Sequence, residues 1–399
     1  MSLTTETTAF TTATTMTSST LGAQVTVEEN LPATTVQCHA SNLLRLPDGT
    51  LLCAWFGGTQ EGTSDISIYL TRQEPGSASW SKPVRVSSDP GRSEQNPVLF
   101  RDPATGRLWL FHTAQPVGNQ DQCEIIARTS EDGHSWTEPF SPFPNKRGIL
   151  VRQPVIVQPD GTWLLPVFYC RAPPGFRWNG NDDASAVMYT RDSGKTWKER
   201  EVPGSLGLVH MNIIPLHPIK GEYVALFRSR WADNIYVPTS QDGLSWVEPT
   251  KTTLPNPNSG ICAAALPNGS IVVVFNNSSA TPGMPRRKGL YDDITPEDDK
   301  RPDQAEVDGK SAIWGTPRKA LSVGISKDSA KTWQYKLLED GDGACMTNNS
   351  AEKTNREISY PSILVGGDNG PNSVDIAFTF HRQCIKHVQI ADVEEFVKS

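Results

Sequence analysis

Residues 190–197 read Thr190-Arg191-Asp192-Ser193-Gly194-Lys195-Thr196-Trp197, and variants of this octapeptide recur along the chain. Three further copies begin with Ser, carry Asp two residues later and close on Trp; they occupy 130–136, 240–246 and 326–333. A degenerate copy at 75–80 keeps the Trp and lacks the Asp. A motif that recurs in this way indicates a repeat architecture.

The residue types of this motif suit a tight turn between two strands. The Asp side chain accepts backbone N–H groups, Gly relieves the backbone, and Trp packs between neighbouring sheets. The turn offers no poised acid or base, so we assign it a structural role and no catalysis.

A second repeated signal lies upstream of most copies, where alternating apolar strands flank hairpin turns. The clearest turns are Pro47-Asp48-Gly49, Pro159-Asp160-Gly161 and Pro267-Asn268-Gly269, and looser ones lie at 105–106, 220–221 and 367–368. Six hairpins, of which the first five are each followed by a box motif, give six four-stranded units. The sequence therefore predicts an all-β fold, a single β-propeller of six blades; seven blades is a less economical alternative.

The two chain ends are predicted to share a blade. The sixth unit lacks an outer strand, and residues 24–29 supply one, which closes the ring and leaves no open sheet edge. We expect a disordered Thr-rich segment at 1–22 and a propeller domain at 23–399. The polar stretch 278–318 is predicted to be a surface insertion between the second and third strands of unit five, at the rim.

The composition excludes some classes of partner. The net charge of -7 and the pI near 5.6 argue against nucleic acid and anionic membranes, which require clustered Lys and Arg. The seven cysteines show no metal-ligand spacing. We expect no metal, no cofactor and a monomer. No signal peptide is recognised, so the compartment stays open between the cytoplasm and an unrecognised export route.

Function is expected on the face opposite the hairpins, where first strands begin and second strands end. The positions predicted to reach the funnel are rich in Arg, His, Asn and aromatic residues, although the chain is acidic. As catalytic candidates we select His39, His210, Tyr360 and Arg152; as substrate-binding candidates, Asn96, Arg171, Arg230, Trp231, Asn258, Arg382 and Trp178. Arg binds carboxylates in a bidentate manner, so an acidic sugar is the expected ligand.

Each candidate also has a structural interpretation. An arginine here could pack at the rim, and a lone histidine is more often structural than catalytic. Tyr360 could be an acid, a base or a nucleophile, or a core tyrosine with a satisfied hydroxyl.

The chain resembles the neuraminidase-like Asp-box propeller family, also called BNR repeat proteins, from about Val25 onward. Besides the boxes, the resemblance rests on Cys38-His39-Ala40-Ser41, Trp55–Gly62, Leu254–Gly260, Ser359-Tyr360-Pro361 and Ile385–Val388. Within the family it is most similar to the branch that includes fungal L-rhamnose-α-1,4-D-glucuronate lyases, which act on gum arabic and arabinogalactan side chains.

The resemblance implies two alternative chemistries. Sialidases carry an early Arg-Ile-Pro motif, whereas this chain has His39-Ala40-Ser41-Asn42 at the corresponding place. Tyr360 nevertheless resembles the sialidase nucleophile, and Asp65 or Glu61 could be the acid. For a lyase, Arg152, Arg230 and Arg382 would stabilise the carboxylate, His39 or His210 would handle the C5 proton, and Tyr360 would donate to the leaving oxygen. Asn96 and Asn258 would hold hydroxyls, while Trp178 or Trp231 would stack on a sugar.

Three functions follow as hypotheses. The first is an exo-acting lyase that releases rhamnose from glucuronate by β-elimination, and the second is a sialidase-like glycoside hydrolase. Elimination produces a conjugated alkene and hydrolysis does not. The third is a noncatalytic glycan-binding propeller, which would bind without turnover.

Overall fold

The computed structural model describes residues 24–118, 120–217, 221–284, 301–341, 357–367 and 369–399. The segment 1–22 and the part of the insertion at 285–300 lie outside the described residues, as do Lys220 and Asp368 of two predicted turns.

The chain enters on β1 (Val25–Asn30) and then builds its blades in order. Blade one consists of β2 (Gln37–Arg45), β3 (Leu51–Gly58), β4 (Ser67–Gln73) and β5 (Val84–Arg85). Blade two consists of β6 (Ser93–Arg101), β7 (Leu108–Gln115) and β8 (Glu124–Ser130), and its fourth position is a bridge between Ala127 and Phe140. Blade three consists of β9 (Ile149–Val151), β10 (Ile156–Val157), β11 (Trp163–Tyr169), β12 (Ala184–Thr190) and β13 (Lys198–Glu201).

The second half of the ring follows the same plan. Blade four consists of β14 (Leu208–His217), β15 (Glu222–Ser229), β16 (Asn234–Val237), β17 (Thr239–Ser240) and β18 (Thr250–Pro255). Blade five consists of β19 (Cys262–Ala265), β20 (Ile271–Asn276), β21 (Leu321–Ser326) and β22 (Gln334–Glu339). Blade six consists of β23 (Ile358–Val365), β24 (Val374–Phe380) and β25 (Cys384–Ile390), and α1 (Val393–Lys398) follows it.

The predicted all-β propeller of six four-stranded blades is confirmed, and so is its closure. β1 pairs antiparallel with β25, so that blade six has the order β1-β25-β24-β23 and contains both ends of the described chain. His387 strengthens this joint, because its Nε2 lies 2.9 Å from Asp375 Oδ1 and its Nδ1 lies 3.1 Å from Glu29 Oε1. No helix of the described residues is long and apolar enough to cross a membrane.

Apolar side chains fill the space between successive blades. Many of these side chains are valine and isoleucine, whose β-branched shape suits a pleated, buried surface. One such cluster joins blades five and six through Val272, Val274 and Val323 on one side and Ile376 and Phe378 on the other.

The box motifs form the turns expected of them. Asp192 Oδ1 accepts the Thr196 N–H at 2.8 Å, and Asp242 Oδ1 accepts the N–H groups of Leu244 and Ser245. Trp163 at the start of β11 pairs with Thr190 at the end of β12. This pairing places the hairpins and the boxes at one end of the blade, so the opposite face carries the remaining loops.

The insertion leaves blade five between β20 and β21, and its described part crosses to blades three and four. Arg177 N–H donates to Pro302 O at 2.9 Å, and Ile313 N–H donates to Arg230 O at 2.8 Å. Trp314 is 1% exposed and its Nε1 donates to Asn179 O. The segment from 301 to 318 therefore packs into the non-hairpin face of the propeller.

Candidate active site

The inner strands of four of the six blades share one irregularity. Strands β2, β6, β14 and β23 each break register at the same place, between His39 and Asn42, Gln95 and Val98, Val209 and Asn212, and Ser359 and Ser362. Each break contains a residue with left-handed backbone: Ala40 (φ 60), Asn96 (φ 52), His210 (φ 55) and Tyr360 (φ 53). A β-bulge redirects a side chain, and left-handed backbone in bulky residues is concentrated at functional sites.

Tyr360 lies at the centre of a buried arginine cluster. Its hydroxyl oxygen accepts a hydrogen bond of 2.5 Å from Arg228 Nη1. The guanidinium carbons of Arg152, Arg228 and Arg318 each lie 5.6 Å from the centre of its ring. The ring packs on Gly260, where a Cβ would lie 3.2 Å from Tyr360 Cγ, so a larger residue there would press on the Tyr360 ring.

Arg152 holds the bulge in place. Its Nη2 donates to the carbonyl oxygens of Tyr360, at 3.1 Å, and Pro361, at 3.0 Å. These are neutral acceptors, and within the described residues no carboxylate contacts Arg152. Its guanidinium charge therefore remains uncompensated.

Both ring nitrogens of His39 have hydrogen-bond partners. Its Nδ1 lies 2.8 Å from Thr379 Oγ1, and its Nε2 lies 3.3 Å from Arg382 Nη2. Arginine can only donate, so Nε2 carries the lone pair and Nδ1 carries the hydrogen. Burial, together with the charge of Arg382, holds the pKa of His39 well below its usual value. The imidazole is therefore neutral, and it lies 4.3 Å from the Tyr360 ring, centre to centre.

His210 is neutral as well, and it is less constrained. Its ring centre lies 5.7 Å from that of Tyr360 and 4.9 Å from that of Phe168. Burial, followed by the charges of Arg228 and Arg230, holds the pKa of His210 well below its usual value. Its Nδ1 has no hydrogen-bond partner in the part of the chain that the structure describes.

Arg382 forms ion pairs with two carboxylates, Glu357 and Glu61. Its Nε donates to Glu357 Oε2 at 2.7 Å, and its Nη1 lies 2.6 Å from Glu61 Oε2. Glu357 also accepts from Arg318 Nη1 at 3.0 Å. Burial opposes ionisation of Glu357, but the charges of Arg382 and Arg318 hold its pKa well below its usual value.

Arg230 is likewise paired, on the side of blade three. Its Nε and Nη2 both lie 2.8 Å from Asp183 Oδ2. Trp178 Nε1 donates to Asp183 Oδ1 at 2.7 Å, and Trp314 from the insertion lies over the Arg230 guanidinium at 4.9 Å. Arg230 and Trp178 thus anchor the insertion.

The remaining candidates lie at different distances from the arginine cluster. Asn258 belongs to it, since its Oδ1 accepts from Arg228 Nε at 2.7 Å. Asn96 is buried at the bulge of β6. Trp231 is buried, with Lys310 Nζ 5.7 Å from its ring. The structure does not bring Arg171 to the cluster, because its side chain is 48% exposed, stacks on Tyr169 and approaches Glu201 at 3.9 Å.

The described cluster has more positive than negative charge. It contains the guanidinium groups of Arg152, Arg228, Arg230, Arg318 and Arg382 and the carboxylates of Glu61, Asp183 and Glu357. Five charges against three leave two in excess, and Arg152 and Arg228 are the two without a carboxylate among the described residues. Uncompensated buried charge is costly, so this arrangement favours an anionic ligand.

A family model described as BNR repeat-like domain matches residues 49–376. The chain belongs to the BNR repeat-like family. A search of curated proteins by sequence returned no match.

Solved structures support the same fold for this BNR repeat-like protein. The Hadza microbial sialidase Hz136 superposes with a TM-score of 0.65 at 15% identity, covering 89% of this chain and 66% of that one. A leech intramolecular trans-sialidase, solved with 2,7-anhydro-Neu5Ac, gives 0.62 at 14% identity, covering 91% and 69%. A protein of unknown function from Dyadobacter fermentans gives 0.64 at 15%, covering 92% and 98%. At these identities the likeness shows the fold alone, and the chain spans about two thirds of the length of both sialidases.

Four charged residues of the cluster were not among the sequence candidates: Arg228, Glu357, Arg318 and Asp183. Arg228 lies on β15, two residues before Arg230, and the two-residue period of a strand puts both positions on one face, which was a signal for Arg228. Glu357 precedes Tyr360 in the same motif and shares its network. Arg318 had no local signal, because it comes from the far end of the insertion.

Proposed function

We propose that this BNR repeat-like protein is an exo-acting polysaccharide lyase that removes terminal L-rhamnose from α-1,4-linked D-glucuronate by β-elimination. One observation carries the proposal: His210, a neutral histidine whose Nδ1 has no hydrogen-bond partner among the described residues, has its ring centre 5.7 Å from that of Tyr360 inside a cluster with two excess positive charges. An acidic sugar supplies the missing negative charge, and the two side chains supply a base and an acid.

The excess charge suits the first requirement of the reaction, which is to acidify C5 of the uronate. A carboxylate near Arg152 and Arg228 would be neutralised by the two guanidinium groups that lack a carboxylate partner among the described residues. As the C5 proton leaves, negative charge spreads onto that carboxylate, and preorganised donors stabilise it.

The proton itself would pass to a histidine. Both ring nitrogens of His39 are held by Thr379 and Arg382, so His39 orients the site. His210 is neutral, as a general base must be, and its Nδ1 has no hydrogen-bond partner in the described part of the chain. We assign proton removal to His210.

Tyr360 would protonate the leaving oxygen. Arg228 can only donate, so the Tyr360 oxygen accepts from it and the hydroxyl hydrogen stays available. Burial raises the pKa of Tyr360, but Arg228 and Arg318 outweigh it, and the pKa lies below its usual value. A more acidic phenol is a better donor.

The step balances without a further reactant. The C5–H bond breaks and its proton goes to His210; the C4–O bond breaks and its oxygen takes the Tyr360 proton. A C4=C5 double bond forms, and rhamnose leaves with the oxygen. Asn96, at the bulge of β6, and Asn258, with left-handed backbone in the loop before β19, could hold substrate hydroxyls.

A sialidase-like exo-hydrolase is the second candidate, and one observation favours it. The arginines that lower the Tyr360 pKa would also make its oxygen a better nucleophile. Glu61, beside Arg382, and Asp65, which accepts from Thr59 N–H at 2.8 Å, would be the candidate acids.

Product analysis distinguishes the candidates. The protein is incubated with gum arabic and, in parallel, with a sialylated oligosaccharide, while ultraviolet absorbance and released sugars are followed. The lyase predicts free rhamnose with an unsaturated uronate. Free sialic acid without an absorbance rise would replace it with the hydrolase, and binding without products would indicate a glycan-binding propeller.

A further inference from the structure

Glu357 joins three elements of the site. Its Oε1 accepts from Arg318 Nη1 at 3.0 Å and from Ser359 Oγ at 2.7 Å, and its Oε2 accepts from Arg382 Nε at 2.7 Å. Its Oε1 also lies 3.7 Å from His39 Nε2, and its side chain is 5% exposed. A single carboxylate thus holds side chains from the insertion, from blade one and from the end of β24.

The same residue fixes the end of the insertion through its backbone. Ile358 N–H donates to Arg318 O at 2.7 Å, and Arg318 and Glu357 form a parallel bridge. Arg318 Nη2 then donates to Asn258 O at 2.9 Å, and Asn258 Oδ1 accepts from Arg228. A continuous chain of contacts therefore leads from Glu357 to the arginine on the Tyr360 hydroxyl.

We propose that Glu357 is the positioning residue of this site: it orients Arg318 and Arg382 and limits the positive charge around Tyr360 and His39. This inference rests on the proposed role of Tyr360 in an active site. It assigns Glu357 no contact with substrate.

The charged and titratable groups around Tyr360 set the pH at which its phenol ionises. Arg152 faces it from blade three, Arg228 and His210 from blade four, and Arg318 from the insertion. His39 faces it from blade one, and the charges of Glu61 and Glu357 act against the arginines. Each arginine favours the phenolate, and each carboxylate favours the neutral phenol.

Glu357→Gln keeps the shape of the side chain and removes its charge. Arg228 and Arg318 then act on Tyr360 with less opposition, so Tyr360 should ionise at lower pH. We expect a shift of roughly one pH unit, the size that a neighbouring charge produces. A purely structural role for Glu357 would lower stability or activity without moving this titration in a set direction.

The test is an ultraviolet titration of tyrosinate. The contribution of Tyr360 is the difference between each protein and the same protein carrying Tyr360→Phe. Glu94→Gln is the matched control, because Glu94 is another buried glutamate, on β6, whose partners are Ser87 and His112. The expected result is a shift to lower pH in Glu357→Gln, no shift in Glu94→Gln, and recovery of the original titration in Glu357→Asp.

An unchanged or higher titration in a folded Glu357→Gln protein would overturn the inference. If that variant fails to fold, Ser359→Ala and Glu61→Gln take its place. Ser359→Ala removes one hydrogen bond and no charge, so it should leave the titration in place, whereas Glu61→Gln should lower it. The readout requires no turnover, so a protein inactive on every sugar would refute the proposed function and leave this inference standing.

Discussion

Arg228 and Tyr360 form the contact around which the site is organised: the guanidinium Nη1 lies 2.5 Å from the phenol oxygen, and within the described residues neither side chain touches a carboxylate. Arg228 is 2% exposed and Tyr360 is 7% exposed. Burial, together with Arg230 and Arg318, lowers the pKa of Arg228 to about 9. A buried, uncompensated pair of this kind is costly to stability and useful for binding an anion.

Removing the Tyr360 hydroxyl should abolish most activity. We expect Tyr360→Phe to lower turnover by at least about 100-fold, as loss of a general acid does, while the protein stays folded. Tyr236→Phe is the control, because this buried tyrosine on β16 donates to Asp233 at 2.9 Å, away from the cluster. Equal turnover in the two variants on the same substrate would show that Tyr360 takes no part in the chemistry.

The two histidines should respond differently to substitution. His210→Gln removes the proposed base and should lower kcat by roughly 100-fold or more. His39→Gln keeps a side chain that can pair with Thr379 and Arg382, so it should retain more of kcat. Steady-state kinetics of both variants decide the assignment, and a greater loss in His39→Gln would reverse it.

The pH profile of kcat/KM follows from the same groups. His210 must be neutral, and its depressed pKa places the acid limb below the ordinary histidine value of about 6.5. Tyr360 must be protonated to donate, so activity should fall on a basic limb that lies below the ordinary tyrosine value of about 10. An acid limb above 6.5 would contradict a buried, neutral His210 as the base.

The fold could be predicted from sequence because its signals are local and repeated. Asp192 and Asp242 mark turns whose chemistry lies within a few residues, and the unpaired edge of unit six indicated β1 as its partner. The contacts at the centre of the site were harder to predict from the sequence. His39, His210 and Tyr360 were selected from strand ends, and the structure brings them together, but the partners of the arginines depend on contacts between distant blades.

The selection of Arg230 and Arg382 as free carboxylate ligands shows this limit. Both lie near the axis, yet Asp183 and the pair Glu61 and Glu357 already engage them. Asp183 and Arg230 lie 47 residues apart along the chain, so no sequence spacing could have predicted their ion pair. Arg318 comes from the insertion, whose path across the face is fixed by packing on blades three and four.

The joint that closes the ring should depend on pH. Burial lowers the pKa of His387, but Asp375 and Glu29 outweigh it, so the folded pKa lies above the ordinary value. The stabilisation is fully present below the pKa of the unfolded chain, about 6.5, and is lost as the pH rises through the folded pKa. The difference in unfolding free energy between wild type and His387→Gln should therefore shrink with rising pH in urea titrations; a constant difference would contradict a charged His387.

The box turns should affect stability and leave catalysis unchanged. Asp242 accepts two backbone N–H groups and the Ser245 hydroxyl, so Asp242→Ala should lower the free energy of unfolding by about 1–3 kcal/mol. Its kcat and KM, measured well below the melting temperature, should match wild type. A selective loss of kcat in a fully folded variant would give the box a role in the reaction.

Elimination is tested most directly by the absorbance of the conjugated uronate during incubation with a rhamnosyl-α-1,4-glucuronate oligosaccharide, with the released sugar identified at the end. A lyase gives a rise in absorbance matched mole for mole by free rhamnose, and Tyr360→Phe should give no rise. Rhamnose released without any rise, or no release from this substrate while a sialylated glycan is cleaved, would contradict elimination.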